Sequence, residues 1–316
     1  MSKRIGIVWN PTKIGGQELT AAVEASFDGD VEVHWWETTA DDPGLQMTRD
    51  ALDARCDVIV AVGGDGTVRT VAEVIAAAAD RGDSVGGGPT LGIVPQGTGN
   101  LLARNLGIPL GSIPKALDVI AADAHREIDM GWVRADDSAT ETGFLVMIGF
   151  GLDAQMLAET DDDLKDKAGW LAYVEAMGRA VAAAEAVDVS LSVDGGEDQQ
   201  LSGHTLLIGN CGAIQGGVTL LPDAVPDDGR LDLLLVSAEN AVQWMQTLRT
   251  MVWDNGIRRF FGASDTISTD AAQHLTAAEA RVSLSAPVAF QIDGEEAGEV
   301  SHLDIRVQPA ALRVLC

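Results

Sequence analysis

Four short apolar runs in the first hundred residues narrow the possible folds most. Arg4–Asn10 (RIGIVWN), Val31–Trp36 (VEVHWW), Asp57–Gly64 (DVIVAVGG) and Leu91–Pro95 (LGIVP) are compact and rich in Val or Ile, and three of them close on Asn, Gly or Pro. Between them lie stretches of helical spacing. Val68, Val71, Ala72, Ile75 and Ala79 fall at i, i+3, i+4, i+7 and i+11 and mark one helix face. Strands alternating with helices predict an α/β domain with a parallel, doubly wound sheet.

Past about residue 130 the texture changes. TGFLVMIGF, VDVSLSV, HTLLIGN, LDLLLVS, RVSLS, VAFQID and LDIRVQ are separated by turn residues and read as a mostly antiparallel β-sandwich. Two helical segments are inserted, Leu164–Ala186 and Ala241–Asp254. The second carries Val242, Met245, Leu248 and Val252 on one side, a core stripe or the lining of a lipid-sized groove. The expected boundaries are 1–130 for the doubly wound domain and 131–304 for the sandwich. With 316 residues, 46% hydrophobic, the chain can fill two cores.

Charge limits the partners. The net charge of −27 repels nucleic acid and anionic headgroups, so no nucleic-acid partner is expected, and a phosphate site must reverse the field locally. Asp161–Asp163 lacks the ligand order of an EF-hand and reads as a solvated acidic face. Cys56, Cys211 and Cys316 are odd in number and far apart, which points to free thiols rather than a disulfide framework. Lys3 and Arg4 precede only a short apolar run before Asn10 and Pro11, and no stretch approaches the roughly 18–20 apolar residues of a membrane span. The expectation is a cytoplasmic protein.

Phosphate chemistry enters through the strand exits. AVGGDGTVRTVAEV (61–74) runs from an apolar strand through Gly63, Gly64, Asp65, Gly66 and Thr67 into a helix, whose first N–H groups form a ready anion site. The glycines are expected to supply positive φ and close approach, and Thr67 to cap the helix or bond a phosphate. Asp65 repels phosphate unless a proton or Mg²⁺ intervenes, which points to phosphoryl transfer. A tight turn capped by Asp is the competing reading. A second exit, VPQGTGNLLARNLGIP (94–109), offers Gly97, Thr98, Gly99 and Asn100 before another helical stretch, and a third, NPTKIGG (10–16), follows the first strand. No G-x-x-x-x-G-K-[ST] or H-E-x-x-H occurs, and GFGLDA (149–154) matches a dinucleotide fingerprint only by chance in its sandwich setting.

GGDGTVRTVAEV, PQGTGNLLARNLGIP, GNCGAIQGGVTLLPDAVPDDGRLDLLLV and QIDGEE, in that order, resemble the diacylglycerol kinase catalytic-domain family, bacterial and archaeal lipid kinases related to sphingosine and ceramide kinases. GGDGT alone is shared with NAD kinases; the G-T-x-N-x-x-A-R element favours lipid kinases. The resemblance implies an ATP- and Mg²⁺-dependent lipid kinase whose C-terminal residues, 305–316, return to the first domain. It implies that Gly63, Gly64, Asp65, Gly66 and Thr67 hold nucleotide phosphates together with Thr38 and Thr98, that Glu295 lies near the nucleotide, and that Asp293 is the general base. Asp129 would join Asp65 in a magnesium and water network. Val225, Asp228 and Arg230 would hold a structural Mg²⁺. Ile14 departs from the small residue that usually precedes glycine in the first loop.

Asp293 also reads as the first residue of an Asp-Gly hairpin turn. The expected acceptor is a hydroxyl of a neutral, membrane-derived lipid, reached peripherally from the inner membrane face, and a homodimer is an open expectation. Two other readings stand: an NAD kinase or other small-molecule kinase with the same loop, and a non-catalytic nucleotide-binding regulator. The acid excess also suits high intracellular salt, where screening relieves self-repulsion. The melting temperature should therefore rise from low salt to molar KCl by differential scanning fluorimetry; a flat or falling value contradicts this.

Overall fold

The Val/Ile-rich runs become parallel strands because helices cover both of their faces. The computed structural model describes residues 2–27, 31–82, 88–151, 186–214, 219–237 and 272–316. Two compact units result, Met1–Met130 with Gln308–Cys316, and Gly131–Val307.

In the first unit the order is β1 (Lys3–Trp9), α1 (Gly16–Ser26), β2 (Val31–Glu37), α2 (Leu45–Asp53), β3 (Val58–Gly63), α3 (Asp65–Asp80), β4 (Thr90–Pro95), α4 (Leu101–Asn105), α5 (Ile113–Ala121) and β5 (His125–Ala135), the last running on into the second unit. The strands pair in parallel as β2-β1-β3-β4. Every residue of β3 is buried. On one face Ile5, Ile7, Val58 and Val60 pack with Leu19 of α1 and Leu117 of α5. On the other, Gly6 faces Ala51 of α2, and α2 packs against α3. Because β2 lies on one side of β1 and β3 on the other, the topology switches between the exits of β1 and β3, where doubly wound sheets open a ligand crevice.

Val68, Val71, Ala72 and Ile75 are buried as their spacing predicts; Ala79 is exposed, because it sits in the last turn of α3 beside exposed Asp80 and Arg81. Ile14 has a structural explanation. It is 6% exposed and belongs to the α1-side core, so the first loop carries an apolar anchor. Cys56 and Cys211 are buried free thiols and Cys316 is partly exposed. Burial pushes the Cys56 thiol up to about 11.

The second unit is antiparallel. It adds β6 (Thr142–Phe144), β7 (Met147–Phe150), β8 (Val187–Val193), β9 (Gln199–Gly203), β10 (Thr205–Gly209), β11 (Leu231–Val236), β12 (Ala272–Ala277), β13 (Glu279–Ile292) and β14 (Glu295–Leu315). RVSLS and VAFQID, read as two strands, are one. β13 pairs with β8 through Ala280–Leu284 and with β7 through Phe290–Ile292, and its register against β14 shifts between Ser283 and Val288. Such an irregularity lets one strand serve two layers. Phe144, Ile148, Val189, Leu206, Leu233 and Phe290 fill the core of this unit.

β9 and β12 escape the sequence pattern, being polar or mixed. The end of β14 returns to the first unit, Val314 pairing in parallel with Leu91. Gly149 and Phe150 of the GFGLDA stretch lie in antiparallel β7, which has no dinucleotide-binding geometry. The two inserted helical segments, Ala186 apart, fall outside the described residues, as do Asp161–Asp163.

Among the described residues no helix is long and apolar enough to cross a membrane. The loop after β2 is closed by Asp42, whose carboxylate accepts the N–H groups of Gly44 (2.9 Å), Leu45 (2.5 Å) and Gln46 (3.0 Å) at the start of α2. Burial pulls this carboxyl up, but the N–H donors of Gln46, Gly44 and Leu45, helped by Arg49, outweigh it and hold its pKa below the ordinary 3.8. A carboxylate depressed by folding stabilises above its unfolded pKa, and that contribution vanishes as pH falls through the folded value. Asp42→Ala should therefore cost about 1–2 kcal/mol at pH 7. In urea titrations the gap from wild type should close as pH drops below 3.8.

Candidate functional site

The exits of the parallel strands are stitched together by main-chain bonds. Asn10 N–H donates to Val62 O (2.9 Å), Thr38 N–H to Trp9 O (2.9 Å) and Gln96 N–H to Gly63 O (2.8 Å). These bonds extend the sheet ladder past its strands and set the β1, β2, β3 and β4 exits side by side. Thr38 is only 4% exposed at this edge.

The glycine loop after β3 enters α3 directly. Gly64 is the N-cap residue (φ −88°), Asp65 opens the helix, and no side chain caps it. Thr67 therefore lies inside the first turn and is 5% exposed; it is not the cap. The first intrahelical bond of the loop is Val68 N–H to Gly64 O (3.1 Å), so the amides before Val68 precede the helix ladder.

None of Gly63, Gly64, Gly66, Gly97 and Gly99 has positive φ, contrary to the expectation for these loops. The glycines serve close approach instead, and mainly between the two loops. A Cβ on Gly97 would lie 2.6 Å from Gly64 Cα, one on Gly63 2.6 Å from Thr67 Oγ1, and one on Gly99 2.8 Å from Asp65 Oδ2. The 63–67 and 97–100 loops thus face and touch each other.

Two amides at the end of the second loop are taken up within the protein. Asp65 accepts the N–H groups of Asn100 (2.7 Å) and Leu101 (2.5 Å), one on each oxygen. Asn100, in the left-handed region at φ 48°, accepts Gly97 N–H on Oδ1 (2.8 Å) and donates Nδ2 to Gly97 O (2.6 Å). Arg104, which enters the sequence reading only as part of the G-T-x-N-x-x-A-R element, donates Nε to Gly99 O at 2.7 Å and braces the same turn. A Gly-Asn pair before a short helix, with Arg four residues on, is the signal for that brace. Asp65 was expected to need Mg²⁺ or a proton beside a phosphate; its carboxylate accepts the Asn100 and Leu101 amides.

Asp129, on β5 and 2% exposed, accepts Ala310 N–H at 2.8 Å within the same unit. Among the described residues no three His, Cys, Asp or Glu side chains gather into a metal cage, and both Asp65 oxygens are engaged.

In the second unit Asp293 is 5% exposed and sits with Gly294 in a hairpin turn at φ 48° and 82°, both in the left-handed region. Its carboxylate accepts Leu145 N–H on Oδ2 (2.9 Å) and Val146 and Met147 N–H on Oδ1 (2.8 and 3.0 Å), while its own N–H donates to Met147 O (2.8 Å). The same arrangement occurs twice more. Asp136 (φ 47°) accepts Ser301 and His302 N–H and donates to His302 O; Asp194 (φ 49°) accepts Ala278 and Glu279 N–H and donates to Glu279 O. Glu295 is exposed and pairs with Ile292 across the hairpin. At the 225–230 turn Val225 is 41% exposed, Asp228 Oδ1 accepts Arg230 N–H (2.9 Å), and the Arg230 guanidinium bonds Thr276 O (2.8 Å) and Asp194 (2.9 Å).

Gly97→Ala should force the two loops apart, costing about 1–3 kcal/mol of stability in urea titrations of the whole chain.

Residues 4–133 match the model of the diacylglycerol kinase catalytic domain, and residues 146–316 that of the YegS C-terminal NAD kinase beta sandwich-like domain. A "Probable lipid kinase YegS-like" of Stenotrophomonas maltophilia is 34% identical over 73% of this chain and 72% of its own length. One of the same name from Pseudomonas aeruginosa is 31% identical over 98% of this chain and 93% of its own length. A "Diacylglycerol kinase" of Bacillus subtilis is 28% identical over 77% of each. The crystal structure of a diacylglycerol kinase from Bacillus anthracis str. Sterne superposes with a TM-score of 0.66 at 19% identity, covering 99% of this chain and 96% of that one, which speaks for the fold alone. With four sequence motifs in order, a doubly wound unit with apposed glycine loops and both domain models matched, the chain belongs to the diacylglycerol kinase catalytic-domain family of lipid kinases, in its form with a YegS-type second domain.

Proposed function

We propose that this chain transfers the γ-phosphoryl group of MgATP to a hydroxyl of a neutral, diacylglycerol-like lipid. The observation that carries the reading is the start of α3: amides preceding the helix ladder, at the positive end of a sixteen-residue helix, at the switch point of a parallel sheet. In a chain of net charge −27 such fixed dipoles favour a phosphate locally. Gly63–Thr67 would carry the phosphates, with Thr38, Thr98 and Asn100 along the neighbouring exits and Glu295 near the nucleotide.

Magnesium enters as part of the nucleotide substrate, offsetting triphosphate charge; a structural Mg²⁺ on Asp228 and the Val225 and Arg230 carbonyls belongs to the same proposal. The lipid hydroxyl oxygen attacks Pγ, the bond from Pγ to the β,γ-bridging oxygen breaks, ADP leaves, and the hydroxyl proton passes to Asp293. An uncharged acceptor fits the acidic chain better than an anionic one, and access from the membrane surface would be peripheral.

The bonding of Asp293 favours a second reading of that residue. Asp136 and Asp194 make the same bonds, so Asp293 would then only shape the 145–147 segment. Asp293→Asn separates the two. A base assignment predicts a kcat lowered by about 10² or more with ATP affinity kept; a shaping role predicts full specific activity per folded molecule, with a lowered melting temperature. With γ-labelled MgATP, label should pass to dioleoylglycerol and not to NAD; label in NAD, or tight ATP binding with no transfer, contradicts the proposal.

A further inference from the structure

We propose that Asp65 is a positioning residue that builds the second glycine loop, and that it does so with or without magnesium. The inference rests on the reading that this sheet edge binds ATP. Each Asp65 oxygen takes one of two consecutive amides, Asn100 at 2.7 Å and Leu101 at 2.5 Å. This is the bonding by which Asp42 opens α2, made here across 35 residues of sequence. Asn100 turns its amide toward Asp65 by adopting φ 48°. Gly99 leaves room for the carboxylate, since a Cβ there would stand 2.8 Å from Oδ2. Arg104 and the Asn100 side chain lock the rest of the turn through Gly99 O and Gly97.

Each Asp65 oxygen keeps a second lone pair after accepting its amide, so a cation there would add to these bonds and not replace them. Charge and geometry already match without it. The loop wall that faces Gly64 therefore depends on Asp65 whether or not magnesium is present.

The test uses the full-length chain, as wild type, Asp65→Asn and Gly99→Ala. Amide hydrogen exchange of the nucleotide-free protein, read by NMR, should quicken about tenfold or more at Asn100 and Leu101 in Asp65→Asn, with Gly99→Ala moving in the same direction. Calorimetry should show ATP affinity lowered by the same factor in Mg²⁺ and in EDTA. Unchanged exchange at Asn100 and Leu101, or an affinity loss confined to Mg²⁺, overturns the inference. If Asp65→Asn does not fold, Gly99→Ala carries both comparisons, because it displaces the carboxylate while keeping its charge. A wild type that binds no ATP in either medium refutes the nucleotide reading, while the exchange data still decide what Asp65 holds.

Discussion

An aspartate carboxylate that accepts consecutive backbone amides is the interaction on which both units depend. In the first unit Asp65 fixes the loop after β4 to the loop after β3, and Asp42 starts α2. In the second, Asp136, Asp194 and Asp293 each adopt a left-handed backbone and clasp the amides of a neighbouring segment. A charged acceptor makes such bonds stronger than neutral ones, and Asp tolerates positive φ better than most residues. Some of the acid excess of this chain is thus structural.

That interaction changes what the glycines are for. A phosphate loop is usually explained by room for the phosphate, but Gly64, Gly97 and Gly99 are crowded by protein atoms: each other's backbone and the Asp65 carboxylate. Removing side chains brings two strand exits into contact, and Asp65 then consumes amides that the second exit would otherwise present. The N-terminus of α3 is left to provide the local positive field. In this account the first loop supplies the amides of the site, and the second is a wall that contributes Thr98 and Asn100.

Much of the fold was legible because buried parallel strands have a simple signature. VIVAVG is apolar at every position and buried at every position. The face of α3 was legible through Ile75, and failed at Ala79 only because a helix end projects beyond what it packs on. β9 was hidden by its polar residues, QQLSG, on a partly exposed strand. The site was legible as residues and not as bonds. Asp65 and Asn100 stand out in sequence, but which amide meets which carboxylate depends on the apposition of two loops 35 residues apart. Likewise the Asp-Gly pair at 293–294 announces a hairpin, whereas its grip on Leu145–Met147 is a long-range fact of the sandwich.

The measurement that tests this account most directly is an amide chemical-shift titration of isotope-labelled protein with ATP and, separately, with adenosine. ATP should move the Gly66 and Thr67 amides strongly, adenosine should not, and the Asn100 and Leu101 amides should stay bonded throughout. Large ATP-specific shifts at Asn100 and Leu101 with Gly66 and Thr67 unmoved would contradict it.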